Sequence, residues 1–247
     1  MLVAASSSQS VSIPAVPVVP ELVEGVEGAS DVYKARSCGR AFFLYHNLMI
    51  IKSIAQTSYE GMYKITPGEG PAFFARQEYV PGLALEDLCA GSQIPSEYDD
   101  ALLDAGLAAA VELKAVTYLA RAEQCRAGLT KKLIEKQFDK KYVGMALDYL
   151  EKRAYLSDER FARAWLHDRR INHFEGRTKL AGELASRGIG REVAAAALDE
   201  FFTENDEAQI CRKAYEKFTR QGKEGEKLMA AMMRAGFTYK MIKDIVQ

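Results

Sequence analysis

A repeat of 51 residues constrains this chain more than any other feature. Leu133, Phe138, Tyr142, Leu147, Asp148 and Leu150 recur 51 residues later as Leu184, Ile189, Val193, Leu198, Asp199 and Phe201. A looser echo follows in Met232, Phe237, Met241 and Val246. The three wordings are LIEKQFDKKYVGMALDYL, LASRGIGREVAAAALDEF and MMRAGFTYKMIKDIV. In each, a helical apolar pattern stops at a small or polar residue and then resumes, which is one helix end, a tight turn and a second helix. A longer helical stretch precedes each pair, at roughly 109–120, 157–171 and 205–220. Such units have thin cores and bury their remaining faces by stacking in tandem. The expected fold is mainly α, with three three-helix repeats over 96–153, 154–203 and 204–247. The terminal units should be the least stable, and Gln221, Gly222 and Gly225 interrupt the third.

The region before the repeats has a different character. In 44–95, MIIKSIAQ, GMYKI and AFFARQEYV are short, aromatic and β-branched, and turns at Tyr59-Glu60-Gly61 and Pro67-Gly68-Glu69-Gly70-Pro71 separate them. They read as three strands of a small antiparallel sheet, which is marginal alone and packs on its neighbour. Pro81–Ser92 reads as a loop with one helical turn. Residues 1–43 read as a disordered extension, because Ser6–Ser12 is polar and Pro14, Pro17 and Pro20 interrupt what apolar sequence there is. Met49, where recognisable structure begins, reads as an alternative start.

Charge is distributed unevenly. The net charge of the 247 residues is -1, yet residues 1–109 hold 6 Lys+Arg against 13 Asp+Glu, and residues 110–247 hold 27 against 21. A polyanion or an acidic partner suits the second half; so does a solvated helical surface of mixed charge. Cys38, Cys89, Cys125 and Cys211 are widely spaced with no CxxC pair, which argues against a disulfide framework or a zinc site and fits a reducing compartment. No apolar run is long enough to span a membrane, and the N-terminus lacks the basic start of a secretion signal. The expected location is the cytoplasm.

Tyr149–Ile189 is the most densely patterned stretch. Ser157 can cap a helix whose first turn carries Asp158 and Glu159. Spacing places Phe161, Ala164, Trp165 and Asn172 on its packing side, and Arg160, Arg163, His167 and Arg170 on another, with Arg169 at the edge. Gly176 breaks the run, Arg177 and Lys179 open a second helix, and Gly188 stands where a C-terminal cap belongs. Arg121, Arg126, Lys131, Lys132, Lys136, Lys140 and Lys141 give the first repeat a similar basic character. Cations at this density neutralise phosphates in a salt-sensitive way, or meet acidic patches on a protein. Catalytic signals are missing. His167 and His173 are six apart and do not make a helix-face metal pair, Gly68-Glu69-Gly70 lacks the rest of a phosphate loop, and there is no nucleophile elbow. No cofactor is implied.

Two runs carry a family resemblance. YL-x-x-R-x-x-x-S-D-E-R-F-A-R at Tyr149–Arg163 and G-x-x-K-L-x-x-E-L-x-x-R-G-I at Gly176–Ile189 resemble the signatures of the RecX family. Tyr118-Leu119-Ala120-Arg121 resembles the start of that family's first repeat, and Arg234-Ala235-Gly236-Phe237 resembles its third-repeat turn. The likeness covers about 48–247. It departs at Cys125 and Gly128, where the family has a Ser…Glu capping box, so this helix start is expected to be weaker. The resemblance implies a curved array of three-helix repeats and a non-enzymatic regulator that binds the RecA–single-stranded DNA filament. Arg121, Arg126, Lys131, Lys132, Arg160, Arg163, Arg169, Arg170, Arg177 and Lys179 are the candidate contacts to recombinase or DNA. The expected state is a monomer. An independent DNA-binding protein of helix-turn-helix-like units is the alternative, although no helix carries an obvious base-reading set.

Overall fold

The structure, a computed structural model, describes residues 49–246. The extension expected over 1–43 therefore lies outside the described residues, as does the side chain of Asn172. β1 (Met49–Gln56), β2 (Met62–Pro67), β3 (Phe73–Arg76) and β4 (Gln93–Ile94) form an antiparallel sheet in the order β3-β2-β1-β4. The fourth strand corrects the expectation of three. It is only two residues long, too short to show alternation, and it pairs with Met49 and Ile50 while burying Ile94. The helical turn expected in the loop before it is a 3-10 turn at Leu85–Asp87.

The sheet packs on the first repeat: α1 (Asp99–Leu119), α2 (Arg126–Glu135) and α3 (Lys140–Lys152). One core joins Ile51, Met62, Ile65 and Ile94 to Leu102, Leu133, Leu147 and Leu150. α1 lies against both β3 and α3 and is buried nearly all round, through Leu102, Ala105, Ala108, Val111, Leu113 and Ala115. Its small residues admit the strand closely; a Cβ on Gly106 would stand 3.1 Å from the Phe73 ring. α1 begins at Asp99 rather than near 109, and its extra turns reach the sheet.

The other repeats are α4 (Asp158–Asn172), α5 (Arg177–Ser186) and α6 (Arg191–Glu204), then α7 (Glu207–Arg220), α8 (Gly225–Arg234) and α9 (Tyr239–Val246). Each has its own core, built on Leu166, Leu184 and Leu198 in the second and on Ala214, Met232 and Ile242 in the third. The recurring residues recur in role: Leu133, Leu184 and Met232 are fully buried. After the middle helix, Phe138, Ile189 and Phe237 donate N–H to those same three carbonyls at 3.3, 3.1 and 3.3 Å. Before each donor sits a left-handed residue, Gln137, Gly188 or Gly236, with φ of 68, 81 and 94°. This is a helix C-terminal motif that glycine adopts without strain, and Gln137 holds it at a cost of about 1 kcal/mol.

The repeats join through two narrow seams built alike. Extensive helix–helix contact lies inside each repeat and is slight between repeats. At the first seam, the Asp158 carboxylate of α4 accepts the Arg126 N–H at the start of α2 (2.7 Å), and Cys125 Sγ donates to the Arg187 carbonyl (3.3 Å). At the second, the Glu207 carboxylate of α7 accepts the Arg177 N–H at the start of α5 (3.0 Å), and the Gly176 N–H donates to the Ala235 carbonyl (2.8 Å). A first-turn acid thus caps its own helix dipole and the middle helix of the preceding repeat. The glycine turn presses into the same place: added Cβ atoms on Gly188 and Gly236 would stand 2.5 Å from Ala127 and from the Lys179 nitrogen. Gly176 has an ordinary φ of -83°, so its need is this close approach rather than a special helix-end conformation; its Cβ would lie 2.5 Å from the Gly236 carbonyl oxygen. The weak start expected at α2 is offset in the same way, since Cys125 Sγ accepts from Gly128 N–H at only 3.4 Å while Asp158 supplies the strong cap.

An ion pair is buried in the first core. Arg76, from β3, donates through Nε to Glu112 of α1 at 2.7 Å and through Nη2 to its other oxygen, and through Nη1 to the Glu60 carbonyl at 2.7 Å. The Tyr79 hydroxyl donates to Glu112 at 2.8 Å, and the guanidinium lies 4.1 Å from the centre of the Tyr149 ring. Burial pushes the Glu112 carboxyl up, against the pull of Arg76 and Tyr79. These groups tie sheet, α1 and α3 together.

Candidate functional site

The basic face of α4 emerges from the burial of its opposite side. Ser157 Oγ accepts the Arg160 N–H at 3.2 Å, the cap its sequence position requires. Ala162 and Leu166 form the buried stripe, with Phe161 and Trp165 half-buried on its flank. Ala164, expected on the packing side, is exposed. The true stripe is centred one residue along from Phe161 and Trp165. Arg163, His167 and Arg170 face solvent.

Most of the ten candidate cations have protein partners. Arg160 pairs with Glu123 at 2.8 Å and donates to the Ala154 and Tyr155 carbonyls, which ties α4 to the end of α3. Arg163 pairs with Glu200 of α6 at 2.7 Å. Arg169 and Lys179 converge on buried Glu175 at 2.7 and 2.6 Å. Burial pushes the Glu175 carboxyl up, but these two cations outweigh it and hold it below the usual range. Arg126 pairs with Asp148 and Glu151, and Arg177, 51 residues on, pairs with Asp199. Arg170 bonds neutral Asn205 at 2.8 Å. Lys132 bonds neutral Gln124 at 2.6 Å. Arg121 and Lys131 are exposed with no ion pair among the described residues. The ten therefore do not form one patch. Arg160, Arg163, Arg169 and Arg170 share α4, Arg177 and Lys179 open α5, and the first-repeat cations stand apart. The exposed pairs, Arg163 with Glu200, Arg126 with Asp148 and Arg177 with Asp199, contribute about 1 kcal/mol or less, so there an incoming anion can exchange for the protein carboxylate at low cost, unlike at buried Glu175.

The recurrence of Arg126 with Asp148 and Arg177 with Asp199 is a signal that reading the aspartates alone misses, since the arginines keep the same 51-residue spacing. Arg187, part of the family-like run but not among the ten candidate contacts, lies 4.6 Å from the centre of the Trp165 ring, with Arg169 at 5.3 Å. Among the described residues no group of three or more His, Cys, Asp or Glu is placed to hold a metal ion. Burial pushes the Cys211 thiol up to about 11, away from reactivity. Among the described residues no helix is long and apolar enough to cross a membrane.

Fold and faces define a class: tandem three-helix units, keyed to one another by repeated seams and offering charged surfaces for contact. Comparison with known proteins gives the class a family. Residues 157–198 match the model described as RecX, second three-helix domain. The regulatory protein RecX of Treponema pallidum (strain Nichols) is 36% identical over 132 residues, which cover 53% of this chain and 80% of the relative. That of Chlorobium limicola is 29% identical over 138 residues, covering 53% and 84%. A crystal structure of regulatory protein RecX shares the fold with a TM-score of 0.61 at 21% identity, covering 80% of this chain and all of that one. The chain belongs to the RecX family of regulatory proteins.

Proposed function

We propose that this chain regulates the RecA recombinase by binding the RecA–single-stranded DNA filament and limiting its extension, ATPase and strand exchange. The partner is mainly the protein polymer, with DNA contact secondary, and the acting species is a cytoplasmic monomer. Membership of the RecX family supports the recombinase as the partner. The observation that carries the reading is the pair of like seams, because units repeated in fixed register suit a target that is itself periodic. The basic surfaces of the first and second repeats suit an acidic filament groove.

The test is the ATPase rate of the cognate recombinase on single-stranded DNA with this protein added below one copy per recombinase subunit. Inhibition at that ratio is the expected result, since competition for bare DNA needs far more protein. No inhibition, together with tight DNA binding by the protein alone, would replace this reading with that of an independent DNA-binding protein.

A further inference from the structure

One cluster gathers cations without carboxylate partners about a half-exposed tyrosine. Arg126, Arg153, Arg160, Arg163, Arg169 and Arg177 all pair with carboxylates. Around Tyr118 the cations do not. Lys114 Nζ and Lys132 Nζ lie 5.8 and 5.6 Å from the centre of the Tyr118 ring, and Arg121 follows in the turn after α1, its N–H donating to the Tyr118 carbonyl at 3.1 Å. Among the described residues none of these three cations is in an ion pair with a carboxylate. The ring packs against the first core and remains half-exposed. Both ammonium groups lie over the ring near the outer limit of about 6 Å, a loose arrangement that an incoming base can displace.

We propose that Tyr118 is a stacking platform for an unpaired base of a single-stranded nucleic acid, with Lys114, Arg121 and Lys132 taking the phosphates on either side. A half-exposed aromatic ring beside cations that no carboxylate neutralises matches a ligand that alternates flat π surfaces with negative charges. A duplex offers the charges but keeps its base faces stacked inside, so the platform selects single strands. This rests on the filament reading only for the setting in which a strand is met.

The test is fluorescence anisotropy of a labelled oligothymidylate with the full chain, without recombinase, across a salt series. Tyr118→Ala should weaken binding roughly tenfold, the scale of one lost base–aromatic stack. Tyr118→Leu, which keeps apolar packing without a flat face, should do the same, and Tyr118→Phe should stay within about twofold. Lys114→Gln and Lys132→Gln should each lower the slope of log affinity against log salt by about 0.7. An abasic strand should bind the parent protein as weakly as oligothymidylate binds Tyr118→Ala. Unchanged strand affinity in Tyr118→Ala and Tyr118→Leu overturns the proposal, as does an equal loss on duplex DNA. If the variants lose recombinase inhibition while holding the strand normally, the patch meets protein, so the stacking proposal fails and the filament reading stands.

Discussion

Replacing Glu112 with Gln tests whether the sheet and first repeat are one body. Arg76 has 2% of its surface exposed, and its Nε and Nη2 both donate to the Glu112 carboxylate. Glutamine keeps the volume but leaves a buried guanidinium with only the exposed Glu78 carboxylate at 4.0 Å, and removing one partner of such a pair costs about 3–5 kcal/mol. At about 2–4 °C per kcal/mol for a chain of this size, the thermal midpoint of the body holding the sheet should fall by on the order of 10 °C. Replacing both partners, as Arg76→Met with Glu112→Leu, should cost much less than the sum of the single changes. Burial already works against the charged carboxyl, so the pair as a whole contributes little while half of it is damaging. Urea unfolding of the two single variants and the double variant gives the coupling directly. A Glu112→Gln loss below about 1 kcal/mol, or costs that simply add, would refute the reasoning.

Two further outcomes follow from the seam and from Glu175. Gly236→Ala would put a Cβ 2.5 Å from the Lys179 nitrogen at a φ of 94°, so hydrogen exchange should rise across residues 207–246 and stay unchanged in the sheet; uniform exchange would show that the seam does not hold the third repeat. Arg169 and Lys179 lower the Glu175 carboxyl below its ordinary 4.5, so its contribution to stability is present above that value and is lost as pH falls through the depressed one. The gap in thermal midpoint between the parent and Glu175→Gln should therefore close on acidification from neutral pH to about pH 3, and an equal gap at both ends would refute the assignment.

The helices were legible because their signal is local. Leu133, Leu184 and Met232 announce three equivalent cores through spacing alone, and Ser157 and Gly188 mark helix ends by chemistry that needs no neighbour. The candidate site was less legible because its partners are distant in sequence. Periodicity puts Arg160 and Arg163 on a helix face but says nothing about Glu123 and Glu200, each 37 residues away. Arg76 and Glu112 are 36 residues apart, and the only hint was a charge set in a largely apolar run, Arg76 in FFAR and Glu112 with Lys114 in AAAVELKAV. The two-residue strand at Gln93 is too short for any pattern. Tyr118 stood in the sequence as part of a family-like motif; its flanking by Lys114 and Lys132 required α1 and α2 to be seen together.

The narrowness of the seams sets the mechanical character of the molecule. Three cores joined by a few hydrogen bonds, the Arg160–Glu123 ion pair, a glycine contact and single side chains, Cys125 and Phe174, set into the next core are linked segments rather than a solid rod. Strain from a curved partner would be absorbed as small rotations about the Gly188 and Gly236 contacts while each core keeps its shape. Such a chain can follow the pitch of a helical track that stretches and tightens, staying seated where a monolithic block of the same length would lift off at its ends.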